Sequence, residues 1–246
     1  MDSTISPPTL VLGGTGKTGR RVARRLQARG RPVRIGTPSS QPPFDWADPA
    51  TWAPALRNID AVYVTYYPDL AAPGAAERVG AFADLAVATG ARRLVLLSGR
   101  GEAGARAGEV AFPAPQTLAE PFIDAEDIAE VAVAALTGDR HVGQLYEVTG
   151  PRLLSWADAV AEIATAAGRP IRYAPVSLEA YATLLLENQV PAEDVRLLTD
   201  VFGEVLDGRN AWLGDGVQRA LGRAPRDFAD YARAAAAGVW SGSAAA

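Results

Sequence analysis

At 246 residues the chain is long enough for one large α/β domain or one domain with a small appendage, and 48% apolar beside 21% charged residues marks a globular protein. A net charge of -4 offers no overall electrostatic reason to bind nucleic acid or a membrane, so neither is expected as a partner. With no cysteine and a single histidine, His141, disulfides, thiol chemistry and the usual zinc sites are excluded, and no metal is expected.

The opening MDSTISPPT is acidic and proline-rich, without the apolar core of a leader, and no later apolar run would span a bilayer; the chain reads as cytoplasmic. A first strand is expected over residues 10–12, then a helix over 19–29 closed by Gly30. A strand over 33–35, a short helix over 51–58, a strand over 61–65, a helix over 74–89 closed by Gly90 and a strand over 94–97 complete two right-handed βαβ units. After Ser98 the stretch GRGEAGARAGEVAFPAPQTLAEP lacks periodicity and reads as loop. A helix over 124–136, a strand over 145–148 and a mostly helical final third from Ser155 follow, with SGSAAA as a frayed tail. This alternation predicts an α/β fold: a doubly wound, mostly parallel sheet of the Rossmann type. Residues 1–150 are expected to form that domain and residues 151–246 a smaller, mainly helical region capping the carboxyl edge of the sheet on the substrate side.

Between the first strand and helix stands GGTGKTG, which places Gly13, Gly14, Gly16 and Gly19 around Thr15, Lys17 and Thr18. In a dinucleotide site one such glycine makes the turn, another lets the backbone reach the diphosphate, and a third lets helix and strand approach. The helix start then faces the phosphates with unpaired N–H groups. The glycine spacing excludes a Walker loop. An NAD site usually carries a carboxylate at the end of the second strand. Here VRIGTPSS offers Thr37, Ser39 and Ser40, which suit a 2′-phosphate, with Lys17, Arg20 or Arg34 as a source of positive charge, so NADP is favoured and NAD is the alternative. In PFDWADPATW, Asp45 is placed to take the adenine amino group, while Asp48 reads as a helix cap.

The segments GGTGKTGRRVARRL, FDWADPATWAPAL, DAVYVTYYPDL, RRLVLLSGRGE, EPFIDAEDIAEVAVAAL and YEVTGPRLLSWADAVAEIA resemble the NmrA-like group of atypical short-chain dehydrogenases/reductases, near its actinobacterial NAD(P)-binding members. The resemblance covers nearly the whole chain. It implies a Rossmann-fold oxidoreductase that uses NADPH to reduce a small quinone, azo dye or ketone, or else a member that only senses the cofactor's redox state. A homodimer is left open.

Typical members of the wider superfamily use a Tyr-x-x-x-Lys pair, the lysine lowering the pKa of the phenol that transfers the proton. Lys17 is the only lysine here and no tyrosine precedes it by four residues, so that mechanism is excluded. Ser98 matches the family's serine near the nicotinamide, with a turn cap as the alternative. Thr65, Tyr66 and Tyr67 end the preceding strand on the edge where open parallel sheets bind ligands, as nicotinamide contacts or as packing aromatics, and Pro68 and Pro73 stiffen the loop beyond. Arg100 and Glu102 are the charged side chains nearby that could orient a carbonyl or relay a proton. His141 reads as a surface loop residue, Asp124 as an N-cap, and Asp127 and Glu130 as an exposed helix face. Tyr181, Leu185, Val201, Phe202 and Trp212 are candidates for a pocket wall or for plain core.

One departure from the family stands out. Its members usually carry a helix and a further strand after the SGRGE segment, whereas GEAGARAGEVAFPAPQT crosses that interval with little room for either. Their loss would remove a sheet strand and part of the substrate wall, which predicts weakened turnover with cofactor binding retained.

Overall fold

The computed structural model describes residues 6–67, 69–98 and 108–236. The chain divides into two compact units. The first takes the described part of Met1–Gly99 with Ala125–Tyr146 and Arg219–Gly222; the second takes the described parts of Arg100–Asp124 and Arg223–Ala246 with Glu147–Gln218.

The first unit opens with β1 (Thr9–Leu12), α1 (Gly19–Ala28), β2 (Val33–Gly36), a 3-10 turn over Pro49–Thr51, α2 (Trp52–Leu56), β3 (Ala61–Val64), α3 (Ala75–Ala88) and β4 (Arg93–Leu96). The four strands form a parallel sheet in the order β2-β1-β3-β4, with Val11 beside both Ile35 and Tyr63. Alternation along each strand sends Leu10, Leu12, Val62 and Val64 onto Trp52, Leu56 and Phe82 of α2 and α3. Val11, Ala61 and Tyr63 go to the opposite face, against Val22 and Leu26 of α1. Both faces are covered, which is why β1 and β3 read as unbroken apolar runs. Each fully buried leucine or valine contributes roughly 1.5–3 kcal/mol. Gly30 and Gly90 end their helices at φ +69° and +104°, a left-handed conformation that a Cβ disfavours.

After β4 come β5 (Glu109–Phe112), β6 (Ala119–Glu120), α4 (Ala125–Thr137), a 3-10 turn over Asp139–His141, β7 (Leu154–Ser155), α5 (Trp156–Ala167), β8 (Arg172–Pro175), α6 (Leu178–Glu187), α7 (Ala192–Val205), α8 (Gly216–Leu221) and α9 (Phe228–Ala236). α4 belongs to the first unit and lays Ala129 and Val133 on the α1 face of the sheet. In the second unit β5 pairs in parallel with β8, and Phe112 stacks on Trp156 at 4.1 Å between ring centres. Phe202 is buried in that core, with Tyr181 and Val201 packed against it, and Trp212 is 38% exposed.

Three expectations need correction. The stretch after Ser98, read as loop, contains β5, whose Val110 and Phe112 are buried, and β6. The strand expected over 145–148 does not form: no ladder pairs there, and Gly214 and Gly216 instead press so closely on the Glu147 carbonyl that a Cβ on either would collide with it. β8 had no counterpart in the sequence reading. Among the described residues the main sheet stops at β4, whose Leu96 is 48% exposed while every residue of β1 is buried.

Candidate functional site

The strand order reverses between β1 and β3, and a parallel sheet opens a crevice beyond its carboxyl ends at such a point. Residues 13–19 lie there. Gly13 has φ +61°, and a Cβ on it would stand 2.6 Å from the Thr65 hydroxyl. One on Gly14 would stand 2.6 Å from Ile35 Cδ1, and one on Gly19 would run into the Gly13 carbonyl. Packing alone therefore requires these three glycines. Gly16 differs: among the described residues a Cβ on it would meet only the Gly13 carbonyl oxygen, at a tight 3.2 Å.

The loop also leaves donors unspent. The Gly16 amide donates to the Gly13 carbonyl at 2.9 Å, whereas the amides of Thr15, Thr18 and Gly19 have no partner among the described residues. The Thr18 side chain does not cap α1, and no acidic residue stands in the helix's first turn. An uncapped helix start with free N–H groups is an anion site. The cradle thus fits the diphosphate of a dinucleotide.

At the end of β2 the Ser40 hydroxyl lies 2.8 Å from the Thr37 and Pro42 carbonyls and braces the turn. Thr37 and Ser39 hold their hydroxyls 3.3 Å apart, with Ser39 exposed. Arg34 is spent elsewhere, on the Ala55 and Arg57 carbonyls at 2.8 and 2.7 Å, so it is not the free cation the sequence offered. Asp45 is half-buried and accepts from the Ala47 amide at 2.8 Å; Asp48 caps the 3-10 turn through the Ala50 amide. Trp46 donates to the Thr65 carbonyl at 3.0 Å and holds the Tyr66 ring at 5.0 Å. The Tyr66 hydroxyl accepts from Arg78 of α3 at 3.2 Å, while Tyr67 is 72% exposed. Thr65 donates to the Leu12 carbonyl, and Ser98 is exposed just past β4. Pro68, Arg100 and Glu102 lie outside the described residues.

No protein-family profile matches the chain. An NAD(P)H azoreductase of Xenophilus azovorans is 39% identical over 116 residues, which are 47% of this chain and 41% of that protein. A (4-alkanoyl-5-oxo-2,5-dihydrofuran-3-yl)methyl phosphate reductase of Streptomyces griseus is 30% identical over 276 positions, spanning 90% of this chain and 95% of the relative. In fold, the chain is similar to a Citrobacter triphenylmethane reductase complexed with NADP(H), with a TM-score of 0.68 at 14% identity over 93% of this chain and 99% of that one. It is also similar to NmrA, a negative transcriptional regulator solved with NAD, with a TM-score of 0.63 at 13% identity over 93% and 95%. The chain belongs to the NmrA-like family of atypical short-chain dehydrogenases/reductases. The Streptomyces alignment runs over more positions than the 246 residues of this NmrA-like chain, so residues that the relative carries are lacking here.

Three residues of this NmrA-like chain sit otherwise than the sequence suggested. His141 is buried, with Nδ1 2.7 Å from the Tyr146 hydroxyl and Nε2 accepting from Arg140 at 3.1 Å, so it is no surface loop residue. Asp127 is fully buried. Glu130 pairs with Arg25 at 2.8 Å instead of facing solvent. Sequence reasoning also missed Arg21, Trp46 and Arg78, whose partners lie on other elements. Among the described residues there is no metal-binding group of acidic or histidine side chains, and no helix is long and apolar enough to cross a membrane.

Proposed function

We propose that this chain is an NADPH-dependent reductase that passes hydride to a small quinone-, azo- or carbonyl-type acceptor without a Tyr-x-x-x-Lys pair. The observation that carries the reading is the cradle at residues 13–19, with three amides unpartnered among the described residues at an uncapped helix start. The family and its NADP(H)-bound neighbour support it. NADP is preferred to NAD because Thr37 and Ser39 stand where an NAD site places a carboxylate.

When bound, the cofactor supplies the hydride. The loop amides would hold its diphosphate, Thr37 and Ser39 would donate to the 2′-phosphate, and Asp45 would accept from the adenine amino group. Thr65, Tyr66, Tyr67 and Ser98 would flank the reacting end, and Tyr66 or Ser98 would give a proton to the acceptor atom left anionic by hydride addition, oxygen in a quinone or ketone and nitrogen in an azo group. A shortfall between Ser98 and Asp124 would thin the acceptor wall and slow turnover. Cytoplasmic action, where NADPH is supplied, belongs to the same reading.

Following NADPH absorbance across a panel of quinones, azo dyes and ketones tests this directly: consumption with one class is expected. Tyr66→Phe or Ser98→Ala should then lower kcat about 10²-fold. The missing Tyr-x-x-x-Lys pair and the likeness to the NmrA regulator favour a second reading, a redox sensor. Tight NADPH binding with no acceptor consumed would decide for it.

A further inference from the structure

Three arginines of α1 converge on one carboxylate of α4. Glu126 Oε1 accepts from Arg21 Nε and Arg24 Nη2, both at 2.9 Å, and Oε2 accepts from Arg25 Nη2 at 2.6 Å. Burial would push the Glu126 carboxyl up, but the hydrogen bond from Arg25 and the charges of Arg25, Arg21 and Arg24 outweigh it and hold the group below its ordinary value. One member does something the others do not. Arg21 also donates from Nη1 to the Lys17 carbonyl at 2.7 Å, one turn back, inside the glycine loop.

The Lys17 carbonyl and the Thr18 N–H belong to a single planar trans peptide, so they point in opposite directions. Holding the carbonyl toward Arg21 therefore aims the Thr18 N–H away from it, and that N–H is one of the loop's unpartnered donors. Were the peptide to turn over, a carbonyl dipole would face the phosphates instead of a donor. We propose that Arg21, clamped by Glu126, is a positioning residue that acts through the Lys17–Thr18 peptide to keep the diphosphate cradle formed without touching the cofactor. The inference rests on residues 13–19 being that cradle.

Arg21→Met and Arg24→Met make a matched test. Each removes one positive charge from α1 and one bond to Glu126, but only the first frees the Lys17 carbonyl. Titration calorimetry should show NADPH bound about tenfold more weakly by Arg21→Met, the worth of one charge-assisted hydrogen bond, and nearly unchanged by Arg24→Met. Adenosine 2′-monophosphate, which has no diphosphate, should bind all three proteins alike. Arg21→Lys, which keeps the charge and one donor, should recover most of the loss.

Equal losses in the two methionine variants would reduce the effect to charge and overturn the proposal, as would an Arg21→Met protein that binds NADPH normally or loses the monophosphate by the same factor. Should Arg21→Met not fold, amide hydrogen exchange on the wild-type chain decides: NADP must protect the Thr18 amide, and an unprotected Thr18 refutes the claim. Gly16→Val separates this from the reading beneath it. If that variant binds NADPH normally, the cradle itself is wrong; if it does not while Arg21→Met is silent, only the role of Arg21 falls.

Discussion

The Gly13 carbonyl accepts the Gly16 amide at 2.9 Å and at the same time fills the place a Gly19 side chain would need. Two glycines three residues apart thus serve different masters. Gly19 is bare because backbone crosses it, whereas a Cβ on Gly16 would press only on the Gly13 carbonyl oxygen, at 3.2 Å. Gly19→Ala should destabilise the first unit by about 2–3 kcal/mol, the cost of overpacking against main chain. Gly16→Val should cost less stability than Gly19→Ala yet bind no NADPH. Thermal unfolding paired with a binding isotherm checks both. A Gly16→Val protein with a sharply lowered Tm would make that glycine structural too.

Trp46 joins the FDW segment to the end of β3 through its bond to the Thr65 carbonyl, and its ring meets Phe44, Phe82 and Tyr66. Trp46→Phe keeps an aromatic ring but leaves that half-buried carbonyl without its donor. The expected loss is about 1–2 kcal/mol of stability. Because Thr65 and Tyr66 follow directly, NADPH affinity should fall as well. Denaturant unfolding gives the first quantity and a KM-against-kcat comparison the second, with KM the parameter that moves.

The alternation of elements was legible because β1 and β3, covered on both faces, are mostly apolar runs, and because Gly30 and Gly90 punctuate the helices locally. The glycine loop was legible for the same reason: its spacing is a local code. The β5–β8 pair was not, since four-residue strands joined by Val110 beside Tyr173 depend on partners about sixty positions apart. Leu145, Tyr146 and Val148 have the composition of a strand, but the Tyr146 hydroxyl is taken by His141 and the Glu147 carbonyl by the Gly216 amide. In the sequence Arg21 is one of four arginines within α1, with nothing to set it apart. Only the placement of Glu126 on α4 gives it direction.

Burial first, then the neighbouring Arg140 charge, holds the His141 pKa below its ordinary value. The ring accepts an N–H from Arg140 at Nε2 and touches the Tyr146 hydroxyl at Nδ1, and Arg219 lies over the Tyr146 ring at 5.3 Å, so a proton would add a third positive charge to this corner. The unfolded chain, with histidine near pH 6.5, therefore binds the proton more readily than the folded one. Stability is full above that pH and declines as pH falls below it. The Tm of the wild-type chain should drop between pH 7.5 and 5.5, and His141→Asn should flatten the slope over that interval. A variant with the wild-type slope would place the titration elsewhere.

The last prediction concerns a phenol with nothing to bind. Tyr63 is 1% exposed at the centre of the sheet, and its hydroxyl has no hydrogen-bond partner among the described residues. Burial drives the group up to about 12, a shift the nearby Thr18 hydroxyl softens although the two do not reach hydrogen-bond geometry. A buried hydroxyl without a partner costs about 1–3 kcal/mol, so its removal should recover part of that. Tyr63→Phe keeps the ring against Val22 and Leu26 and should raise stability by roughly 1 kcal/mol in denaturant unfolding, with NADPH binding unaffected. A stability loss of similar size would instead reveal a water joining Tyr63 to Thr18 beneath the glycine loop. In that case Thr18→Val should lose the same amount, and the double variant no more than either alone.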